Sequence, residues 1–156
     1  MEEKMRGIVL GGVSVGDNDK ILNVFTLEKG VVSAKIKGVK KAGAKLKFAA
    51  EPFCFAEFVF MKTADKRTVI GASLIDSFYP LREDLKKYFA AGTILEFVKR
   101  FEKESMVSAD DFLLAVNALG DIAYGDDPFV SLVEYLIEAL RSAGYALKLD
   151  GCFKCG

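Results

Sequence analysis

The chain has 156 residues, 51% of them hydrophobic and 28% charged, which is the composition of an ordinary globular protein with one domain or two small ones. It contains no histidine and no apolar run long enough for a transmembrane helix, which excludes His-dependent triads, zinc hydrolases and membrane spans for this stretch. Its 22 basic and 22 acidic residues cancel, so binding to nucleic acid would require the two charges to be segregated along the chain.

The cysteine count and the N-terminus indicate a compartment. Three cysteines, an odd number, do not suggest a disulfide framework. The opening Met1–Lys4 is acidic and has no apolar segment of a signal peptide behind it. We therefore expect a cytoplasmic protein without membrane contact.

The first half of the chain has the residue alternation and the turn residues of short β-strands. Gly30 ends a tight turn that requires a positive φ, and the strand after it alternates apolar with basic residues. A later segment is apolar on both faces, so it needs packing on each side. Five short strands in roughly 75 residues predict a small closed or nearly closed barrel. The predicted strands are Arg6–Val13, Ile21–Leu27, Val31–Val39, Glu51–Met61 and Val69–Ser77.

After Pro80 the apolar period becomes helical. One helix is predicted from Pro80 to about Lys103, a second begins at Ser108 with Asp111 in a capping-box position, and a third begins at Asp127-Pro128 and ends near Gly144. We expect the apolar stripes of these helices to lie in the core, namely Leu81, Leu85, Tyr88, Phe89, Leu95, Phe97, Phe101, Phe112, Val116, Leu119, Ile122, Val130, Val133, Leu136, Ile137 and Leu140. The fold class is therefore α+β in two segregated parts, and the absence of a linker predicts a shared interface.

A run of lysines is the strongest candidate site. Six lysines lie within a segment of thirteen residues that has no acidic residue, and the glycines within this run predict a mobile loop after the third strand. Such a cluster can contact the phosphates of a polyanion without reading its sequence. The alternative is a solvated loop that only aids solubility. The lysines are Lys35, Lys37, Lys40, Lys41, Lys45 and Lys47.

Two cysteines form a second candidate at the C-terminus, in Cys152-Phe153-Lys154-Cys155-Gly156. This spacing supplies two of the four ligands of a structural zinc site, and Cys54 belongs to a buried strand. A redox dithiol is the rival interpretation, but that motif usually opens a helix in a βαβ unit, which is missing here. Cys152 and Cys155 are therefore interpreted as half of a zinc motif.

Two charged turns are interpreted as structural. The turn from Gly16 to Lys20 lacks the central Gly and the final Glu of a calcium loop, so a turn with local Asx hydrogen bonds is expected. Asp65-Lys66-Arg67 is predicted to be a hairpin turn with solvated charges.

Several short motifs occur in an order that resembles one bacterial family. They are Gly16-Asp17-x-Asp19-Lys20-Ile21-Leu22, Phe25-Thr26 with Gly30, Lys37-Gly38-x-Lys40-Lys41 ahead of Pro52-Phe53, Ser77-Phe78, Leu81-Arg82-Glu83-Asp84-Leu85, Gly144-Tyr145, and Leu149-x-x-Cys152 with Cys155-Gly156. Together they resemble the RecO family of recombination mediators along the whole chain.

The resemblance implies an oligonucleotide/oligosaccharide-binding (OB) barrel at residues 1–79, a helical domain at 80–149 and the start of a four-cysteine zinc region at 150–156. It implies a non-enzymatic role in DNA repair and recombination through the RecF pathway. Family members bind single- and double-stranded DNA, promote annealing and help load recombinase with RecR and the acidic C-terminal tail of single-stranded DNA-binding protein. The lysines would then contact phosphates. No cofactor is expected in this fragment, and zinc is expected only in a longer chain.

The chain departs from the family pattern in two respects. Gly11, Gly12 and Val15 stand where basic or aromatic residues are usual, which weakens base stacking there, and the second cysteine pair is missing.

Two rival functions stay open. One rival is a scaffold that docks the acidic tail without binding DNA directly. The other is a redox enzyme that uses Cys152 and Cys155.

Overall fold

The computed structural model describes residues 1–104 and 108–145. Five strands come first, then a short 3-10 helix inside the connection between the third and fourth, and finally four helices. The strands are β1 (Glu2–Val15), β2 (Asp19–Thr26), β3 (Gly30–Ile36), β4 (Phe55–Thr63) and β5 (Lys66–Asp76), and the 3-10 helix is Lys47–Ala50. The helices are α1 (Pro80–Glu83), α2 (Leu85–Phe101), α3 (Ala109–Tyr124) and α4 (Pro128–Ser142).

The strands close into a barrel in the order β1-β2-β3-β5-β4. All neighbours are antiparallel except β3 and β5, which pair in parallel at Lys35 and Thr68. This is the OB fold, so the predicted barrel and the α+β class are confirmed. The strand β1 pairs with both β2 and β4, and its register shifts between Val9 and Gly11. Because Gly11 has a φ of 154°, this bulge needs a glycine.

The barrel is filled by the inward residues of its strands. Phe58 and Phe60 of β4 stack in this interior with ring centroids 5.7 Å apart. The alternation predicted for β3 is confirmed, because Val32, Ala34 and Ile36 are buried while the residues between them are exposed or partly exposed.

A second core joins the barrel to the helices, as the missing linker predicted. Phe112 of α3 contacts Phe25 of β2 and Phe55 of β4, with ring centroids 5.4 and 5.9 Å apart. Ile8 and Leu10 of β1 belong to the same apolar cluster. The outer face of β4 is therefore covered at Phe55.

The helix ends follow local capping rules, with one correction. Asp127 accepts hydrogen bonds from the backbone N–H of Phe129 and Val130, and Ser108 accepts one from Asp111, so both predicted starts are confirmed. The single helix predicted from Pro80 to Lys103 is wrong. It is interrupted at Asp84, whose extended backbone ends α1 and whose carboxylate caps α2.

Part of the expected helical core is exposed. Leu81 and Leu95 are buried, but Leu85, Tyr88 and Phe89 of α2 are exposed, Phe89 to 61%. In α4, Val130 and Val133 are also exposed. Periodicity identifies residues that share a face of a helix, but not whether another element covers that face. Within the described residues, no helix is both long enough and apolar enough to span a bilayer.

Candidate nucleic-acid interface

The lysine segment, defined here as residues 37–47, runs from the end of β3 into the 3-10 helix. It is a series of hydrogen-bonded turns. The N–H of Lys41 bonds to the carbonyl of Gly38 at 3.2 Å, that of Ala44 to Lys41 at 3.2 Å, and that of Lys47 to Ala44 at 3.3 Å. The backbone therefore has a defined path.

Apolar side chains anchor this segment to the barrel. Val39 is 3% exposed, and Ala49 and Ala50 just beyond the segment are buried in the barrel core. Leu46 and Phe48 pack against the same core. The predicted loop is therefore anchored by the burial of apolar residues between and beyond its lysines, and its mobility stays a prediction.

Five of the six candidate lysines are exposed: Lys37, Lys40, Lys41, Lys45 and Lys47. Among the described residues, none of these five has a carboxylate oxygen within 4.0 Å of its ammonium group. Lys35 differs, since it is only partly exposed and its Nζ lies 3.3 Å from a carboxylate oxygen of Asp19. The structure thus brings five exposed cations together on one short segment, and Lys37 among them is near enough to Asp19 to help lower the pKa of that carboxyl.

Asp19 at the start of β2 connects the β1–β2 turn to the lysine segment. Its Oδ1 accepts a hydrogen bond of 2.8 Å from the N–H of Gly38, and the carbonyl of Asn18 accepts one of 3.1 Å from Lys40. The Gly38 N–H and the nearby Lys35 hold the pKa of Asp19 below its ordinary value. The expected local Asx bond is therefore wrong for Asp19. Sequence offered no signal for this contact, because the two residues are nineteen positions apart.

A cleft of about 400 Å³ lies beside Lys35, between the β1–β2 hairpin, β3 and the β4–β5 turn. Val15, Ile21 and Ala34 give it an apolar lining, and Lys66 stands at its edge. The large exposed apolar residues on the five described strands are aliphatic, including Val13 and Val15, so these strands offer no exposed aromatic platform for a base, and the exposed Tyr79 lies beyond β5.

Arg67 was predicted to be solvated in its turn, and this is wrong. It is 7% exposed, and its Nε lies 2.9 Å from Oε2 of the equally buried Glu3. Lys29 contacts the other oxygen of Glu3, and Glu104 contacts Arg67 at 2.8 Å. This network is structural, because two buried charges neutralise each other and leave little for a ligand.

The zinc prediction lies outside the described residues, since it rests on Cys152 and Cys155. Within residues 1–104 and 108–145, no group of three or more potential ligands is positioned to hold a metal ion. Cys54 is buried, as expected, and burial raises the pKa of its thiol to about 11, which makes it a poor nucleophile.

Comparison with known proteins agrees with the geometry. The family Recombination protein O N terminal matches residues 1–78, and Recombination protein O C terminal matches residues 82–156. A DNA repair protein RecO from Acetivibrio thermocellus is 31% identical over 154 residues, 98% of this chain and 61% of the relative. Its counterpart from Caldicellulosiruptor bescii is 31% identical over 152 residues, 97% of this chain and 62% of the relative. The chain thus spans about three fifths of the length of these relatives, and it belongs to the recombination protein O (RecO) family.

Proposed function

We propose that the chain binds DNA through the lysine segment of its OB barrel, and that Lys37, Lys40, Lys41, Lys45 and Lys47 contact phosphates. The observation that carries this proposal is the group of five exposed ammonium groups on an anchored backbone, none of them within 4.0 Å of a carboxylate oxygen in the described part of the chain. Anchoring matters because a preformed surface loses less conformational entropy when it binds. Lys35 contributes less, since Asp19 already neutralises it.

Binding is proposed to be largely independent of base sequence. Lysine presents a point charge rather than a planar fork, and none of the aromatic rings on the five described strands is exposed. The cleft beside Lys35 is lined by apolar side chains such as Ile21 and by polar and charged ones such as Lys66, and it contains no aromatic ring on which a base could stack. Both single- and double-stranded DNA are therefore proposed as ligands.

The wider role is proposed from family membership. The chain takes part in DNA repair and recombination, promotes strand annealing and helps load recombinase together with RecR and the acidic tail of single-stranded DNA-binding protein. It acts in the cytoplasm and without catalysis of its own. Zinc binding by Cys152 and Cys155 stays a prediction, and metal analysis of a longer family chain would test it.

Fluorescence anisotropy with a labelled single-stranded oligonucleotide tests the site. Changing Lys37, Lys40 and Lys41 to Glu should abolish measurable binding at moderate salt. Neutral Gln at the same positions should reduce the slope of log affinity against log salt by about 0.7 for each phosphate that the variant no longer neutralises.

A control of equal charge change is available on the same chain. Lys4, Lys86 and Arg100 are exposed and lie outside the lysine segment, so changing all three to Glu gives the same net charge. This control should keep most of the affinity. If both triple variants lose affinity equally, binding reflects net charge rather than this site, and the assignment fails.

A further inference from the structure

The helix α4 has a buried apolar face and, beside it, a second apolar stripe that is largely left open. Tyr135 and Ala139 are buried against the other helices. A second stripe recurs at spacings of four, three and four residues, at Phe129, Val133, Leu136 and Leu140. Phe129 and Val133 are 47% and 54% exposed, and Leu136 and Leu140 are partly exposed, with Leu136 packed in part against the helical core. This 4-3-4 spacing is the seam along which a helix packs against another helix.

Acidic residues border this stripe. Asp127 and Glu134 line a shallow groove together with Phe129, Val130 and Val133. Asp121 lines the adjoining groove between the end of α3 and the first turns of α4. Residues 108–145 contain seven acidic residues and a single basic one, Arg141, which pairs with Glu138 at 2.7 Å. This region is therefore strongly acidic, in contrast to the barrel with its lysine segment.

The acidic groups of the groove are not neutralised within the described chain. Asp121 and Glu134 have no Lys or Arg nitrogen within 4.0 Å among residues 1–104 and 108–145. Lys87, which approaches the end of α3, donates its hydrogen bond to the carbonyl of Ala123 at 2.8 Å. The carboxylate of Asp127 caps α4 and remains a negative group at its start.

We propose that the second stripe of α4 and its acidic border form a docking surface for a basic amphipathic helix of a partner protein. The apolar seam would take the apolar face of that helix, and its lysines or arginines would meet Asp127 and Glu134. From Phe129 to Leu140 the seam is about 16 Å long, which corresponds to about three turns of a partner helix.

The acidic charge of this surface also disfavours ligands other than a basic helix. DNA and acidic peptide tails are repelled by this surface, so it is distinct from the site proposed for DNA. A second copy paired through α4 would bring two strongly acidic faces together, which disfavours self-association at this helix.

Titration calorimetry with two designed helical peptides tests the proposal. Both carry leucines at 4-3-4 spacing, and the remaining positions are Lys in one peptide and Glu in the other. The Lys peptide should bind with one-to-one stoichiometry and weaken with salt, and the Glu peptide should not bind. Phe129→Ser with Val133→Ser should lower the affinity for the Lys peptide at least tenfold, and adding Glu134→Lys should lower it further.

Val13→Ser with Ile70→Ser is the matched control, because both residues are exposed aliphatic groups on the barrel. It should leave peptide binding unchanged. Equal binding of the two peptides, or undiminished binding by the Phe129 and Val133 variant, would overturn the proposal. Two further results would overturn it. One is sedimentation in which the unmodified chain forms a dimer and the Phe129 and Val133 variant does not. The other is hydrogen exchange of a full-length family chain in which α4 is already protected without peptide.

Discussion

The carboxylate of Asp19 and the backbone N–H of Gly38 form a 2.8 Å hydrogen bond that joins the β1–β2 turn to the lysine segment. Gly38 has a φ of 66°, so its amide is presented by a conformation that favours glycine. Because Lys40 also bonds to the carbonyl of Asn18, the two turns are held as one unit. The position of the lysines therefore depends on an acidic residue whose charge opposes the proposed binding of DNA.

Asp19→Ala should loosen the lysine segment even though it makes the chain more positive. Hydrogen exchange at the Gly38 and Lys40 amides should become faster, because their partners in the β1–β2 turn are removed or displaced. Since the pKa of Asp19 is lowered in the fold, the same loosening should develop in the unmodified protein as acidic pH protonates the carboxylate.

Asp17→Ala is the matched control for this variant. Asp17 lies exposed in the same turn, and the substitution changes the charge equally. It should leave amide exchange unchanged and strengthen DNA binding more than Asp19→Ala does. Identical exchange in the two variants would show that the Asp19–Gly38 bond does not order the segment.

Phe112→Ala should destabilise the whole chain by about 4 kcal/mol, because it removes the ring that packs against Phe25 and Phe55 where the barrel meets the helices. The neighbouring Leu113→Ala should change the free energy of unfolding by at most ~0.5 kcal/mol, since Leu113 is 49% exposed. Urea denaturation followed by circular dichroism measures both. If Phe112→Ala unfolds the helices in a separate transition and leaves the barrel intact, the two parts do not share one cooperative core.

Local signals made most elements predictable. Asp127-Pro128 and Ser108 mark helix starts by short-range hydrogen bonds, and Gly30 marks a turn by its positive φ. The interruption at Asp84 was visible in principle, since an Asp two residues before the N–H of Lys86 is a common cap. The apolar period continues across Asp84, however, and therefore conceals the interruption.

Contacts between distant residues could not be predicted from a single sequence. The carboxylate of Asp19 finds Gly38, and Arg67 finds Glu3 sixty-four positions away, through barrel closure rather than local pattern. The same applies to exposure. Val133 and Leu119 both occupy apolar helical positions, yet only Leu119 is covered, because burial depends on which neighbour the fold supplies.

Arg67→Met should destabilise the fold by about 3 kcal/mol, because it leaves the buried carboxylate of Glu3 with only Lys29 as a partner. Adding Glu3→Gln should recover part of this loss, since the unpaired charge is then removed. Glu104→Gln should cost less than about 1 kcal/mol, because the Glu104 side chain is 49% exposed. A double-mutant cycle in urea measures these differences, and additive effects of Arg67→Met and Glu3→Gln would contradict the coupling.

Glu102 makes the fold less stable as the pH rises, whereas a carboxylate paired with a cation makes the fold more stable as the pH rises. Burial, together with the neighbouring Asp111, raises the pKa of Glu102 to about 7. Between the ordinary glutamate pKa and a pH of about 7, the folded state therefore keeps a proton on Glu102 that the unfolded chain has released. The resulting stabilisation is complete below the ordinary glutamate pKa and is lost as the pH rises towards 7.

Glu102→Gln should remove this dependence, because the amide stays neutral at every pH. At pH 8 the variant should be more stable than the unmodified chain, and the difference should shrink or reverse near pH 4.5. Glu57→Gln at an exposed position of β4 is the control and should leave the pH profile unchanged. Urea denaturation at pH 4.5, 6, 7 and 8 provides the measurement. Parallel profiles for Glu102→Gln and the unmodified chain would mean that Glu102 ionises in the fold as it does in water, and that its burial beside Asp111 has no energetic consequence.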